Sequence, residues 1–398
     1  MAHRPLRNAR PRSRWYALNT PSIYLDTNAT TTLHPRVLEG MEQLLADHEL
    51  GNPSSLHGAG RRSRKLIEEA RENLAALLDV DTLEIFFTSG GTESNNIAIT
   101  SLAPRFRSLW VSSVEHSSVR EPARALWKEG FPGGEIAVDE RGQIGEIPPK
   151  EDLDGALVSI QWVNNETGAI QDLRRLCTEL SEQGAVVHSD GAQGFFRLGD
   201  TIPQLGVDAA TITAHKSFGP QGVGALWMRR GIIARPLFTG GSQERKVRPG
   251  TENLVAIHGL GILARIAREE PLWPSDSLTR KSTLVRNQLG EIAGARILSP
   301  VESCFPNCIN VTFEGVIAET LLVRLDLEGI FASSGSACSS GAREPSHVLR
   351  ALGCADSEVR GAIRLSFAPD TTDDALLRAT SRISAIVRDL RSCHVDRR

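Results

Sequence analysis

Residues 86–99 read FFTSGGTESNNIAI: a short apolar run, a Gly-Gly turn at Gly90-Gly91, then a helical pattern. A strand that ends in a polar, glycine-containing turn and re-enters as a helix is the building step of an α/β domain. The step recurs along the chain. LWVSSVEHSS (109–118), ALVSIQWVNNETG (156–168), AVVHSDGAQ (185–193) and AATITAHKSFGP (209–220) all read as strand followed by loop. Between them, DLRRLCTELSEQG (172–184) reads as an amphipathic helix closed by a glycine. Buried strands alternating with helices imply a mostly parallel sheet. Upstream, Leu66, Ile67, Ala70, Leu74, Leu77 and Leu78 fall on one helical face.

The pattern changes near residue 265. EEPLWPSDS (269–277) has the composition of a boundary. Beyond it, the sequence predicts a helix through LTRKSTLVRNQLGEIAG, a strand in CINVTF, a helix in AETLLVRLDLEG and a strand in AIRLSFA. A last helix places Leu376, Ile383, Val387 and Leu390 on one face. The expected organisation is an extension over residues 1–22, a large domain over 23–265 and a smaller α+β domain over 266–398. The N-terminal segment is expected to pack on the smaller domain.

Composition narrows the function. A formal net charge of −3 across 398 residues offers no field that would draw nucleic acid or an anionic membrane. Apolar runs are interrupted too often to span a bilayer. The first twenty residues carry five arginines and no acid, without the apolar stretch of a secretion signal. They read as a flexible extension of a cytoplasmic protein, with an organellar transit peptide as the alternative. The six cysteines contain no C-x-x-C, which fits a reducing compartment. Cys304 and Cys308 form a lone C-x3-C that reads as idle thiols, and no metal site is expected.

Reactive residue types gather where strands are expected to end. Gly91 and Thr92 open a helix, where backbone N–H groups favour a phosphate, although many strand–helix turns carry glycines for geometry only. Lys216 is one of only six lysines among 45 basic residues. Unlike arginine, lysine can lose its proton and form a Schiff base. A surface lysine is the plainer reading of that position by itself. Asp190 suits a helix cap, a metal ligand or the partner of a protonated pyridine nitrogen. His116 suits stacking on a ring or an ordinary structural role. Cys338 lies in SSGSACSSGAREPS (333–346), a stretch too poor in apolar groups to build core.

In order and wording these motifs resemble the cysteine desulfurases, pyridoxal-phosphate enzymes of the class V aminotransferase family. The likeness runs from YLDTNATT at Tyr24 to about Leu390 through TSGGTESNN, VNNETG, DGAQ, AHK, RPGTEN and SSGSACSSG. The last motif looks like the branch with a long cysteine loop, which includes iron–sulfur-cluster assembly and nitrogenase-associated enzymes. The resemblance implies the fold-type-I architecture of pyridoxal-phosphate enzymes, with a seven-stranded, mostly parallel sheet flanked by helices. It further implies that Lys216 holds pyridoxal 5'-phosphate as a Schiff base and moves the substrate proton. Asp190 would pair with the ring nitrogen, Gln193 with the phenolic oxygen, and His116 would stack on the ring and assist as acid or base. Gly91, Thr92, Thr213 and His215 would bind the phosphate, and Thr251 would reach the phosphate of a second subunit in a homodimer. Asn165, beside the cofactor, and Arg364 would hold the substrate carboxylate. L-cysteine would become L-alanine, with its sulfur kept as a persulfide on Cys338 for an acceptor protein, either a cluster scaffold or a thiolation enzyme. A selenocysteine lyase, another class V enzyme and a non-catalytic sulfur relay are the competing readings. Two departures from the family wording stand out: Thr213-Ala214 before His215-Lys216, and Ser242 with Pro249 in GGSQERKVRPGT.

Overall fold

The computed structural model describes residues 22–334 and 345–395. The N-terminal extension up to residue 21 and the sulfur carrier expected at Cys338 lie outside them. The strands, in chain order, are β1 (Ile23–Tyr24), β2 (Ile85–Thr88), β3 (Leu109–Ser112), β4 (Gly133–Ile136), β5 (Leu157–Ser159), β6 (Val186–Asp190), β7 (Ala209–Thr213), β8 (Gly224–Met228), β9 (Ala295–Ile297), β10 (Cys308–Phe313), β11 (Ile330–Phe331) and β12 (Ile363–Ser366).

Seven of them form one sheet in the order β2-β8-β7-β6-β5-β3-β4. Only β8 runs against its neighbours; the β7-β6, β6-β5, β5-β3 and β3-β4 pairs are parallel. Successive side chains alternate between two apolar layers, as the two-residue period of a strand requires. Phe87, Val158, Ala210, Ile212 and Trp227 join the core beneath helices Gly58–Leu78 and Leu254–Glu269. Phe86, Leu157, Ala209, Leu226 and Met228 join the core on the other face with Val119 and Ala123 of helix Ser117–Lys128.

The five strand–loop segments read from the sequence are β2, β3, β5, β6 and β7. The sequence pattern does not mark β4 or β8. Strand β4 begins with two glycines, which have low strand propensity. Gly133 is needed there: its φ is +137°, and a Cβ would lie 1.7 Å from Leu109 O. Strand β8 is a short apolar run whose periodicity cannot tell strand from buried helix. At its start, a Cβ on Gly224 would come within 2.9 Å of Gly90 Cα. Strand β8 thus packs directly behind the Gly-Gly turn.

The C-terminal part carries a separate antiparallel sheet, β12-β10-β9. Helices Ser275–Gly290, Ala318–Leu327 and Asp373–Val395 accompany it, with Leu376, Ile383 and Val387 buried as the spacing predicts. Strand β1 pairs in parallel with β11, and Asp26 bridges to Ser366. The N-terminal strand is therefore fastened to the C-terminal part of the chain. The boundary expected at residue 265 falls inside helix Leu254–Glu269.

The free edge of β2 is covered by side chains. Arg71 and Glu244 pair through two hydrogen bonds of 2.7 and 2.9 Å, and both side chains are almost fully buried. Glu244 also accepts from Phe87 N at 2.8 Å, and Arg71 donates to Ile85 O at 2.8 Å. Glu244, Arg245 and Lys246 hold φ values of 42°, 54° and 70° to make this contact. Removing one member of a buried ion pair strands the other charge. Glu244→Ala is expected to cost about 3–5 kcal/mol, read as a lower urea midpoint with an unchanged slope.

Candidate active site

Because β5, β6 and β7 are buried on both faces, their carboxyl ends are where polar side chains gather. The loops after β2, β3, β5, β6 and β7 converge there. A Cβ placed on Gly91 would lie 3.8 Å from Thr213 Cβ and 3.9 Å from Ala192 Cβ. That brings the glycine turn after β2, the DGAQ turn after β6 and the end of β7 into contact. Thr213 Oγ1 and Gln193 Oε1 are both buried without a hydrogen-bond partner.

His116 and Asp190 are joined by a chain of hydrogen bonds. Asn95 Nδ2 donates to Asp190 Oδ2 and to Ser118 Oγ, each at 2.8 Å. Ser118 Oγ lies 2.7 Å from His116 Nδ1, which also accepts from Ser118 N at 3.1 Å while capping helix Ser117–Lys128. With Nδ1 occupied as an acceptor, the proton of a neutral His116 sits on Nε2. Asp190 Oδ1 accepts from Ala192 N at 3.0 Å. None of the described cations forms an ion pair with this buried carboxylate. Its neighbour His188 is held between Ser159 Oγ at 2.9 Å and Thr211 Oγ1 at 3.1 Å. Burial pulls His188 down to about 4, so it is neutral and offers Asp190 no charge. Glu115, beside His116, is pushed well above the usual carboxylate range by burial and by Asp190.

Lys216 is half-buried, and its Nζ donates to Asn28 O at 2.9 Å and Ala29 O at 2.7 Å. His215 Nδ1 meets Thr30 Oγ1 at 3.2 Å, and its pKa falls to about 4 through burial, Lys216 and Arg197. Arg364 is buried, donates to Asn165 O at 2.9 Å and pairs with Asp26 at 2.5 Å. Its Nε has no partner. Asn165 Oδ1 accepts from Gln161 Nε2 at 3.3 Å. The described fold thus brings Gly91, His116, Asn165, Asp190, Gln193, Thr213, His215, Lys216 and Arg364 to one edge of the sheet, with Thr92 on the turn beside Gly91. Thr251 stands apart, exposed on a surface segment.

The described residues that flank Cys338 in the sequence are anchored at this edge. On one side Ser333 and Arg364 exchange backbone hydrogen bonds of 3.2 and 2.6 Å. On the other, Ser346 Oγ donates to Glu166 Oε2 at 2.6 Å, and His347 Nε2 meets Glu115 O at 2.9 Å. Cys304 and Cys308 are held by backbone carbonyls, at 3.5 Å from Thr167 O and 3.4 Å from Glu166 O respectively.

Sequence reasoning attached no role to Asn28, Asn95, Glu115, Ser118 or Arg197. Asn28 falls within YLDTNATT, which is the only sequence signal for it. Asn95 falls within TSGGTESNN, and Glu115 and Ser118 within LWVSSVEHSS, while Arg197 lies in none of these stretches; no residue type among the four announces a role before the fold assembles them.

The chain matches the Aminotransferase class-V family over residues 23–378, and it belongs to that family. Within it, the chain is 39% identical to a cysteine desulfurase IscS of Dictyoglomus turgidum, over 93% of this chain and 95% of that protein. Among solved structures, a NifS-like protein superposes with a TM-score of 0.83 at 34% identity, over 92% of this chain and 99% of that one. SspA in complex with cysteine superposes with a TM-score of 0.75 at 30% identity, over 88% of this chain and 100% of that one.

Burial raises the thiol pKa of Cys177 and Cys308 to about 12 and of Cys304 to about 11. Each is a neutral thiol at pH 8, because a folded pKa above the ordinary value keeps the proton on. Alkylation at pH 8 is expected to modify these three about a hundredfold or more slowly than a free thiol. Peptide mass spectrometry against a denatured control measures this.

Proposed function

We propose that the chain is a pyridoxal-phosphate-dependent cysteine desulfurase that moves the sulfur of L-cysteine onto Cys338 and releases L-alanine. The observation that carries this reading is the buried Asp190, without a cationic partner among the described residues, at the same sheet edge as Lys216. Such a carboxylate suits a protonated pyridine nitrogen.

The remaining groups fit the cofactor as well. Lys216 would hold it covalently. The uncommitted amide atom of Gln193 would meet the ring hydroxyl, and His116 would lie against the ring. The N–H groups at Gly91 and Thr92, the unpartnered Thr213 hydroxyl and His215 would take the phosphate. When bound, pyridoxal phosphate supplies the electron sink that lets the Cα–H and Cβ–S bonds of the substrate break.

Arg364 orients the substrate carboxylate with Asn165, since a guanidinium fork matches carboxylate geometry. Lys216 moves a proton at Cα, and His116, with its proton on Nε2, assists. Cys338 attacks the substrate sulfur as thiolate. One S–S bond forms, the Cβ–S bond breaks, and Cβ gains a proton, so L-cysteine and a thiol become L-alanine and a persulfide. The raised pKa values of the four described cysteines argue for this role falling to Cys338. The anchors at Ser333 and Ser346 support it, since Ser333 pairs with Arg364 itself and Ser346 grips Glu166, next to Asn165.

The acceptor is a protein that takes sulfane sulfur for cluster assembly or thiolation. A second copy of the chain is the natural recipient of the exposed Thr251. No helix among the described residues is long and apolar enough to cross a membrane, and the reading places the enzyme in the cytoplasm.

Incubation with L-cysteine is expected to release L-alanine and leave a persulfide on Cys338, mapped by mass spectrometry. Cys338→Ser should retain the visible absorbance of bound cofactor while forming no persulfide. Lys216→Ala should lose the cofactor on dialysis and all turnover. A persulfide on Cys304, Cys354 or Cys393 in the parent protein would overturn the assignment.

A further inference from the structure

Arg197 follows the DGAQ turn and carries a positive charge into a place where the described residues offer it no carboxylate. It is 6% exposed. Burial lowers its pKa to about 9, which leaves it protonated at neutral pH. The guanidinium lies over Trp273, 4.4 Å from the ring centroid, and 5.4 Å from that of Phe305. Trp273 donates to Ser217 Oγ at 3.2 Å and stacks on Phe218 with centroids 5.0 Å apart. The aromatic support is thereby fixed to the two residues that follow Lys216. Burying a cation against ring faces alone is costly, and an apolar side chain would avoid the cost. Its presence there points to a use for the fork.

The fork spans two acceptors. Nη1 donates to Asn28 Oδ1 at 3.0 Å and Nη2 to Lys216 O at 2.7 Å. Asn28 is a junction. Its main-chain oxygen accepts from Lys216 Nζ and Gln193 Nε2, both at 2.9 Å. Its N–H donates to Ser366 Oγ at 3.0 Å, and its Nδ2 donates to Asn165 O at 3.1 Å. Asn307 Nδ2 also donates to Asn28 Oδ1, at 3.2 Å. Two donors on Oδ1 fix the sense of the amide, because a flip would set an NH2 group against both. Without Arg197 that constraint halves, and the contact to Asn165 loosens with it.

We propose that Arg197 is a positioning residue: its guanidinium clamps the Asn28 amide to the Lys216 main chain, so that the Lys216 amine and Asn165 keep one spacing. Misplacement at a reacting centre is costly even when no reacting group is lost. The inference rests on the desulfurase reading for its turnover measurement only.

The test uses the holoenzyme and the variants Arg197→Lys, Asn28→Ala and their combination. Lysine keeps the charge and cannot span both acceptors. The lysine variant is expected to lower kcat for alanine release by about tenfold to a hundredfold. It should also weaken the visible circular dichroism of bound pyridoxal phosphate, which reports how firmly the cofactor is oriented. If Arg197 acts through Asn28, the double variant should lose little more than the worse single one. Parent values of kcat and visible dichroism in Arg197→Lys would overturn the proposal, as would a change confined to the thermal midpoint. Losses that multiply in the double variant would overturn it too. Should the lysine variant not fold, Arg197→Gln, which keeps a planar donor for one acceptor, is judged by the same measurements. A parent enzyme that releases no alanine from L-cysteine would sink the desulfurase reading while leaving the dichroism comparison able to decide on Arg197.

Discussion

Strands β5, β6 and β7 are covered by apolar layers on both faces, and the molecule is organised around that burial. Inside such a sheet each polar group must find a partner within the protein. His188 does so between Ser159 and Thr211. At the carboxyl ends the ladder stops and chain direction changes, so polar side chains there are free to face one another. Asp190, Thr213 and Lys216 share an edge for this reason. The Gly-Gly turn after β2 completes it, because β8 packs so closely behind Gly90 that a side chain at Gly224 would collide.

The edge is closed by segments distant in sequence. Strand β1 pairs with β11, which delivers Asn28 beneath Lys216. Strand β12 delivers Arg364 to Asp26 and Asn165. The site is thus held by the N-terminal strand, the large sheet and the C-terminal sheet together. Asn28 is where the three meet, with bonds to Lys216, Asn165 and Ser366. Such long-range closure depends on residues whose local propensities say nothing about it.

Five strands of the large sheet were legible because short apolar runs ended in polar, glycine-containing turns, the strongest short-range signal available. Strand β4 was not, because its glycines serve a close approach to Leu109 rather than strand propensity. Strand β8 was not, because a continuous apolar run has no period to read. The cluster of Asp190, Lys216 and His116 was legible as positions at strand ends. Their hydrogen-bond linkage through Asn95 and Ser118 was not, since neither residue type announces a bridging role.

The sequence alone determined the α/β class, the family and the residue types available for chemistry. Apolar period, turn residues and motif order are local properties, and they survive without any tertiary contact. Tertiary structure decided which groups are charged and which are partnered. Burial makes Cys177, Cys304 and Cys308 neutral thiols and His188 a neutral imidazole. It also leaves Arg197 a buried cation on two aromatic rings. Desolvation and pairing depend on what surrounds a group in space, and the chain order holds no record of that.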